Sequence, residues 1–202
     1  MDSYANLKTE IAQWLNREGM TQLTDKVDTF LGMAQRRIFR DCDLRALEAT
    51  ATDTTDTLTL PSDYMRTRSL YLVNGTDVWA LKAASPSMVA KFTSGAARIP
   101  VLYEVDGDSL RLAPSPDQAY TYYLKYYKSL PLLSDANTTN WFTANAPELV
   151  LFGALLEASV YLKDDTRTEM WRSRFEEVKA SLQKSEDDSD KEGGSLQVTV
   201  IN

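Results

Sequence analysis

The chain of 202 residues contains no histidine and a single cysteine, Cys42. Without histidine there is no Ser-His or Cys-His pair to activate a nucleophile, and one thiol cannot make a His/Cys zinc site. A lone cysteine also forms no internal disulfide, which is compatible with a reducing cytoplasm or a particle assembled there. Cys42 itself reads as a small buried apolar residue. Glycine is sparse, at 8 residues, and none of it forms a phosphate-binding glycine-rich loop. The opening Met-Asp-Ser-Tyr-Ala-Asn lacks a cationic region followed by an apolar core, so no signal peptide is expected. The longest apolar stretch, Leu149 to Leu162, is interrupted by Gly153, Glu157 and Ser159 and falls short of the ~18 residues of a membrane span. Basic residues are outnumbered 22 to 29, giving a net charge of −7. That balance argues against a basic clamp on nucleic acid, whose affinity comes from counterion release by Lys and Arg. It is compatible with a wall that DNA slides past without sticking.

What is present is enough to fold. A hydrophobic content of 43% and 4 tryptophans place the chain among globular proteins, as one domain or one with an insertion. Ser3 is positioned to cap a first helix in which Tyr4, Leu7, Ile11, Trp14 and Leu15 recur at helical spacing as one buried stripe. A turn around Gly19 leads to a second helix starting after Thr24, with Asp25 and Asp28 near its positive end. Val27, Phe30, Leu31, Ala34 and Ile38 share its buried face, so the two helices form an antiparallel hairpin.

From Glu48 the pattern changes to alternation. Thr57 to Leu60 reads as a strand ended by Pro61, and Leu70 to Val73, Asn74-Gly75 and Val78 to Leu81 form a hairpin signal. A second hairpin turns at Asp106-Gly107, and Ser85-Pro86-Ser87 starts a short helix through Val89 and Phe92 between the two. With Ala119 to Tyr127 the middle region holds about five or six antiparallel strands. Pro147 then opens a helix that is apolar nearly all round and must be covered on most sides. Thr166 and Glu169 have capping-box spacing ahead of Trp171, Phe175, Val178 and Leu182, a fourth amphipathic helix. The expected fold class is α+β: a four-helix bundle from both ends of the chain, with an inserted antiparallel β region and an extended C-terminal tail. The expected boundaries are 1–47 and 135–184 for the helical parts, 48–134 for the insertion, and 185–202 for an acidic linker and tail.

Several of these segments occur in a telling order: Trp14-Leu15, Ala34 to Arg40 with Ile38 between, Leu60-Pro61-Ser62-Asp63-Tyr64, Tyr126 to Ser134, Trp141, and Ala146-Pro147-Glu148-Leu149. Each is weak alone. Together they span Tyr4 to Leu182, and the pattern resembles head-to-tail adaptors of tailed bacteriophages, similar to the tail tubular protein A group of short-tailed phages. The resemblance implies a structural virion protein of the neck or tail, assembled in the host cytoplasm, with no enzymatic activity and no cofactor. It implies a homo-oligomeric, dodecameric ring below the portal that extends the DNA channel without sequence-specific binding. Portal protein, the tail nozzle and tail fibre proteins are the implied partners. The residues alone leave two rivals, a binding or scaffold module outside the virion and a carboxylate-dependent hydrolase.

The candidate interface residues, towards portal or a neighbouring subunit, come from three places. In Ser195 to Asn202, the apolar Leu196, Val198, Val200 and Ile201 are costly to leave in water, so this tail reads as either a disordered end or a strand docked on a partner. Tyr123 and Tyr127 alternate with other tyrosines on one strand, which puts aromatics on both faces, one of them available to core or interface. Arg36, Arg37 and Arg40 suit the negative end of the second helix, as a solvated or salt-bridged face or as an inter-subunit bridge. The pairs Asp41/Asp43, Asp106/Asp108 and Asp164/Asp165 are the hydrolase candidates, but each lies at a turn or helix end where Asp serves as a cap.

Overall fold

A computed structural model describes residues 2–15, 21–54, 58–163 and 165–193. Its backbone divides into two compact units, one formed by Met1–Ala46 with Leu130–Asn202 and the other by Leu47–Ser129. Helices dominate the first. Helix α1 (Tyr4–Trp14) is capped by Ser3, whose Oγ accepts the Asn6 N–H at 3.3 Å. Tyr4, Leu7, Ile11 and Leu15 are buried as the periodicity requires, but Trp14 is 45% exposed, which corrects its place in the core stripe. Helix α2 (Thr21–Asp41) begins four residues before the expected start and buries Val27, Phe30, Leu31, Ala34 and Ile38.

The centre of this unit is a helix with no polar face. It spans Pro147–Leu162 and buries nine of its residues, among them Leu149, Val150, Ala154, Leu155 and Ala158. Proline fits its first turn because the missing N–H has no helical partner there. Lys163, at φ 55°, ends it with a left-handed cap. A shorter helix, α4 (Trp141–Asn145), precedes it; the central helix is α5 and a shorter α3 lies in the second unit. Asn140 caps α4 by accepting the N–H groups of Phe142 and Thr143, while the Thr143 hydroxyl accepts the N–H of Asn140. Helix α6 (Asp165–Gly193) packs on α5 through Trp171 and Phe175. Its start at Asp165 puts Thr166 inside the first turn and not at the cap, and its helical course to Gly193 corrects the expected acidic linker. The tail from Ser195 to Asn202 lies outside the described residues.

In the second unit seven strands form a nearly closed, barrel-like sheet in the order β1-β7-β3-β4-β5-β6-β2. These are β1 (Glu48–Asp53), β2 (Leu58–Thr59), β3 (Tyr64–Asn74), β4 (Asp77–Ala83), β5 (Leu102–Asp106), β6 (Ser109–Ala113) and β7 (Thr121–Lys128). Gly75 (φ 64°) and Gly107 (φ 60°) supply the left-handed backbone that the β3–β4 and β5–β6 turns need. Between β4 and β5 the chain runs through α3 (Pro86–Thr93) and returns, so those strands pair in parallel. Leu70, Leu72, Leu81, Leu110, Tyr122 and Leu124 are the centre of a core that belongs to this unit alone.

These observations overturn the expected fold class. The chain is a mixed α/β protein with a seven-stranded sheet and six helices among its described residues, not a four-helix bundle with an inserted antiparallel β region. Strand β3 runs through Arg66-Thr67-Arg68-Ser69, a polar run without the alternating apolar residues that signal a strand. The middle segment is seven strands with its own apolar interior, large enough to stand as a compact unit. No helix among the described residues is long and apolar enough to cross a membrane.

Helices α2 and α5 meet closely at Gly153. A Cβ placed there would lie 3.1 Å from the Ala34 Cβ and 3.3 Å from the Phe175 ring. Gly153→Val is therefore expected to overpack the crossing and lower unfolding stability by about 1–3 kcal/mol in urea denaturation. Gly32→Ala, which meets only the end of the flexible Arg36 side chain inside the same helix, is the control and should raise stability by about 0.5–1 kcal/mol.

Candidate functional site

The segments that carry the family resemblance are tied together by hydrogen bonds inside each unit. In the sheet unit, the turn residue Asp63 accepts the Tyr126 hydroxyl at 3.0 Å through its carboxylate and the Ser129 N–H at 2.8 Å through its carbonyl. The Tyr64 ring lies 5.8 Å from that of Tyr126. The Leu-Pro-x-Asp-Tyr turn and the Tyr-Tyr strand end are thus one structure read in two places. In the helical unit, the Gln35 side chain, fully buried on α2, accepts the Leu133 N–H at 2.8 Å. Asn137 donates to the carbonyls of Pro131 and Leu132, and Thr138 accepts the Tyr4 N–H at 2.7 Å. Burial pushes the Tyr126 phenol above its ordinary value of 10.0, and the Asp63 carboxylate adds to the rise.

Side-chain alternation along β7 sends Tyr122, Leu124 and Tyr126 into the core and Tyr123 and Tyr127 to the opposite face. There Tyr123 stacks on its cross-strand neighbour Tyr71, with ring centroids 5.1 Å apart and planes at 7°. The Arg66 guanidinium lies 4.4 Å over the Tyr127 ring. Glu48 and Arg68 form an ion pair. Val78, 65% exposed, pairs with Val73 on the same face as Tyr71. The result is a half-buried aromatic face with a cation at one end, the composition that protein interfaces favour. Tyr71 and Arg66 escaped the sequence reading because they come from β3, and only the register brings them beside β7.

The three arginines of α2 separate in the structure. Arg37 is turned to its own unit: it pairs with Glu157 of α5 at 3.2 Å and with Asp41 at 3.7 Å, and lies 5.6 Å over the Phe175 ring. Arg36 and Arg40 are exposed. One carboxylate in each of two acidic pairs is likewise engaged in structure. Asp106 binds Arg111, Asp41 binds Arg37, and the Asp108 carbonyl accepts the Leu60 N–H. Asp164 lies outside the described residues. Cys42 is buried. Among the described residues no group of three or more acidic or thiol side chains is placed to hold a metal ion.

Motif turns tied by hydrogen bonds and a half-buried aromatic outer face are the features of a surface suited to contact with other proteins. The SU10 adaptor protein family matches residues 2–199, nearly the whole chain. The chain belongs to this family. A comparison with curated proteins finds no match. As an SU10 adaptor the chain is a structural adaptor of bacteriophages, a role that places it in the neck or tail of the virion and among portal and tail proteins in general. Of the interface residues expected from sequence, this adaptor brings Tyr123 and Tyr127 onto one surface and leaves Arg36 and Arg40 accessible, while Leu196, Val198, Val200 and Ile201 lie outside the described residues.

The Tyr126 bond to Asp63 gives a test of the motif's structural role. Tyr126→Phe is expected to lower stability by about 1–2 kcal/mol at neutral pH, measured by thermal unfolding. Because the folded-state pKa is raised, the native state holds the phenol proton more tightly than the unfolded chain does. The stabilisation is complete below the unfolded value of 10.0 and is lost as pH rises through the folded value. The gap between wild type and Tyr126→Phe should therefore close above pH 10.0.

Proposed function

We propose that this adaptor assembles, in the host cytoplasm, into a dodecameric ring below the portal, extending the DNA channel and offering a platform for the tail nozzle and tail fibre proteins. The family match over residues 2–199 carries the reading. The likeness to the tail tubular protein A group is the finer part of the same proposal. The net charge of −7 supports a channel wall that DNA passes without sequence-specific binding, because counterion release would not reward adhesion. The proposed contacts with portal or a neighbouring subunit use Tyr123 and Tyr127 on the sheet face, Arg36 and Arg40 on α2, and Leu196, Val198, Val200 and Ile201 of the tail. Arg37 takes part through its neighbours, by holding α2 against Glu157.

The test is assembly with purified portal, followed by electron microscopy. Closed rings matching the portal's symmetry are the expected result; a chain that stays monomeric and never binds portal would sink the proposal. Tyr123→Ser combined with Tyr127→Ser should lower ring formation about ten-fold or more at matched concentration, as loss of aromatic interface anchors does. Purified virions should contain the chain, and its absence from them would favour a scaffold module outside the particle.

A further inference from the structure

The helical unit carries an aromatic groove that the packing of that unit leaves open. Trp14 of α1 meets Phe152 of α5 edge-on at 6.0 Å and Trp171 of α6 at 5.6 Å, and Phe152 stacks on Trp171 at 6.1 Å. Together with Met170 and Val178 these side chains line a groove of about 440 Å³. Trp14 and Met170 are 45% and 46% exposed, which is costly for two large apolar side chains at one place. On the rim, Arg174 and Glu177 bind each other at 3.0 Å, so the charge there is already satisfied and recognition falls to apolar contact. Trp14 donates its indole N–H to Glu10 and stays half-exposed, while Trp171 is only 4% exposed.

We propose that this groove receives the segment Ser195 to Ile201 of a second copy of the chain, laid in as an extended strand. The segment is chemically suited to it. In extended form Leu196, Val198 and Val200 fall on one side, towards an aromatic floor, while Gln197 and Thr199 face away. Reach decides which copy supplies it. Along α6, Trp171 precedes Gly193 by about 33 Å at 1.5 Å per residue. Folding back from Gly193, Val200 and Ile201 travel only about 23–26 Å in a fully extended chain, short of both Trp171 and Met170. The chain's own segment cannot fill the aromatic end of its own groove, and a neighbour's can. This inference rests on the proposed self-assembly, and it names the surface on which the tail docks.

Photo-cross-linking of the full-length chain tests it. Val198→p-benzoylphenylalanine is made in isotopically light and heavy protein, and the two are mixed, assembled with portal and irradiated. Mass spectrometry should then find cross-links that join light to heavy chains and map to Met170 or Trp14. Met170→Glu, at an exposed position where the fold tolerates charge, should cut these cross-links about ten-fold without changing the melting curve. Rings whose cross-links map to portal, to another surface or within one copy would overturn the groove assignment and leave the ring proposal standing. A chain that forms no ring and no cross-links between copies would overturn both.

Discussion

The helical unit depends on enclosing α5, which has no polar side to offer water. A helix of this kind is stable only when neighbours cover it on most sides, and the closest cover comes where Gly153 lets Ala34 of α2 approach. That approach has consequences along α2. It sets Arg37 opposite Glu157 and over Phe175, so a cation that looks like surface in the sequence is part of the packing between α2, α5 and α6. Gln35 in turn accepts a backbone N–H from the segment that leads into α4. One missing methyl group thus governs where several polar groups meet.

The sheet unit is organised by a different constraint. Strand β7 lies between β1 and β3 and must satisfy both faces at once, with leucine and tyrosine inward and tyrosine, lysine and threonine outward. Tyrosine serves this position because its ring buries apolar area while its hydroxyl finds a partner, as Tyr126 does on Asp63. The same strand supplies the outward Tyr123 and Tyr127, so core and candidate contact surface are written into alternate residues of one stretch. A single-residue slip in register would exchange them.

How much of this was legible in the sequence follows from how local each signal is. The α1 stripe, Ser3 as a cap, the two glycine turns and the helix after Pro147 were all readable, because a few neighbouring residues determine each. Elements that depend on distant partners were not. Arg66 to Ser69 became strand through pairing with β7, and the parallel β4–β5 pair arose only because α3 returns the chain to the same sheet. Acidic residues after Ser185 read as a solvated linker, yet Glu, Lys and Asp are compatible with helical backbone, and α6 continues to Gly193. Trp14 has the right spacing for the core and stays half-exposed. Of the candidate site, Tyr123 and Tyr127 were legible from strand alternation, whereas Tyr71 and Arg66 required the register, and the different fates of the α2 arginines required Glu157 to be placed.

The edge strand β1 has a bearing on solubility. An unpaired strand edge invites a second copy to add to it, and protein assembled to high local concentration is exposed to that hazard. Here the edge begins with Glu48 and ends with Asp53. Two such edges meeting antiparallel and in register would set the Asp53 of each copy against the Glu48–Arg68 ion pair of the other, so charged groups would have to be desolvated at both ends. Runaway stacking through the backbone is discouraged by charged groups at both ends of the strand, which leaves association to shaped side-chain surfaces that fit in one way.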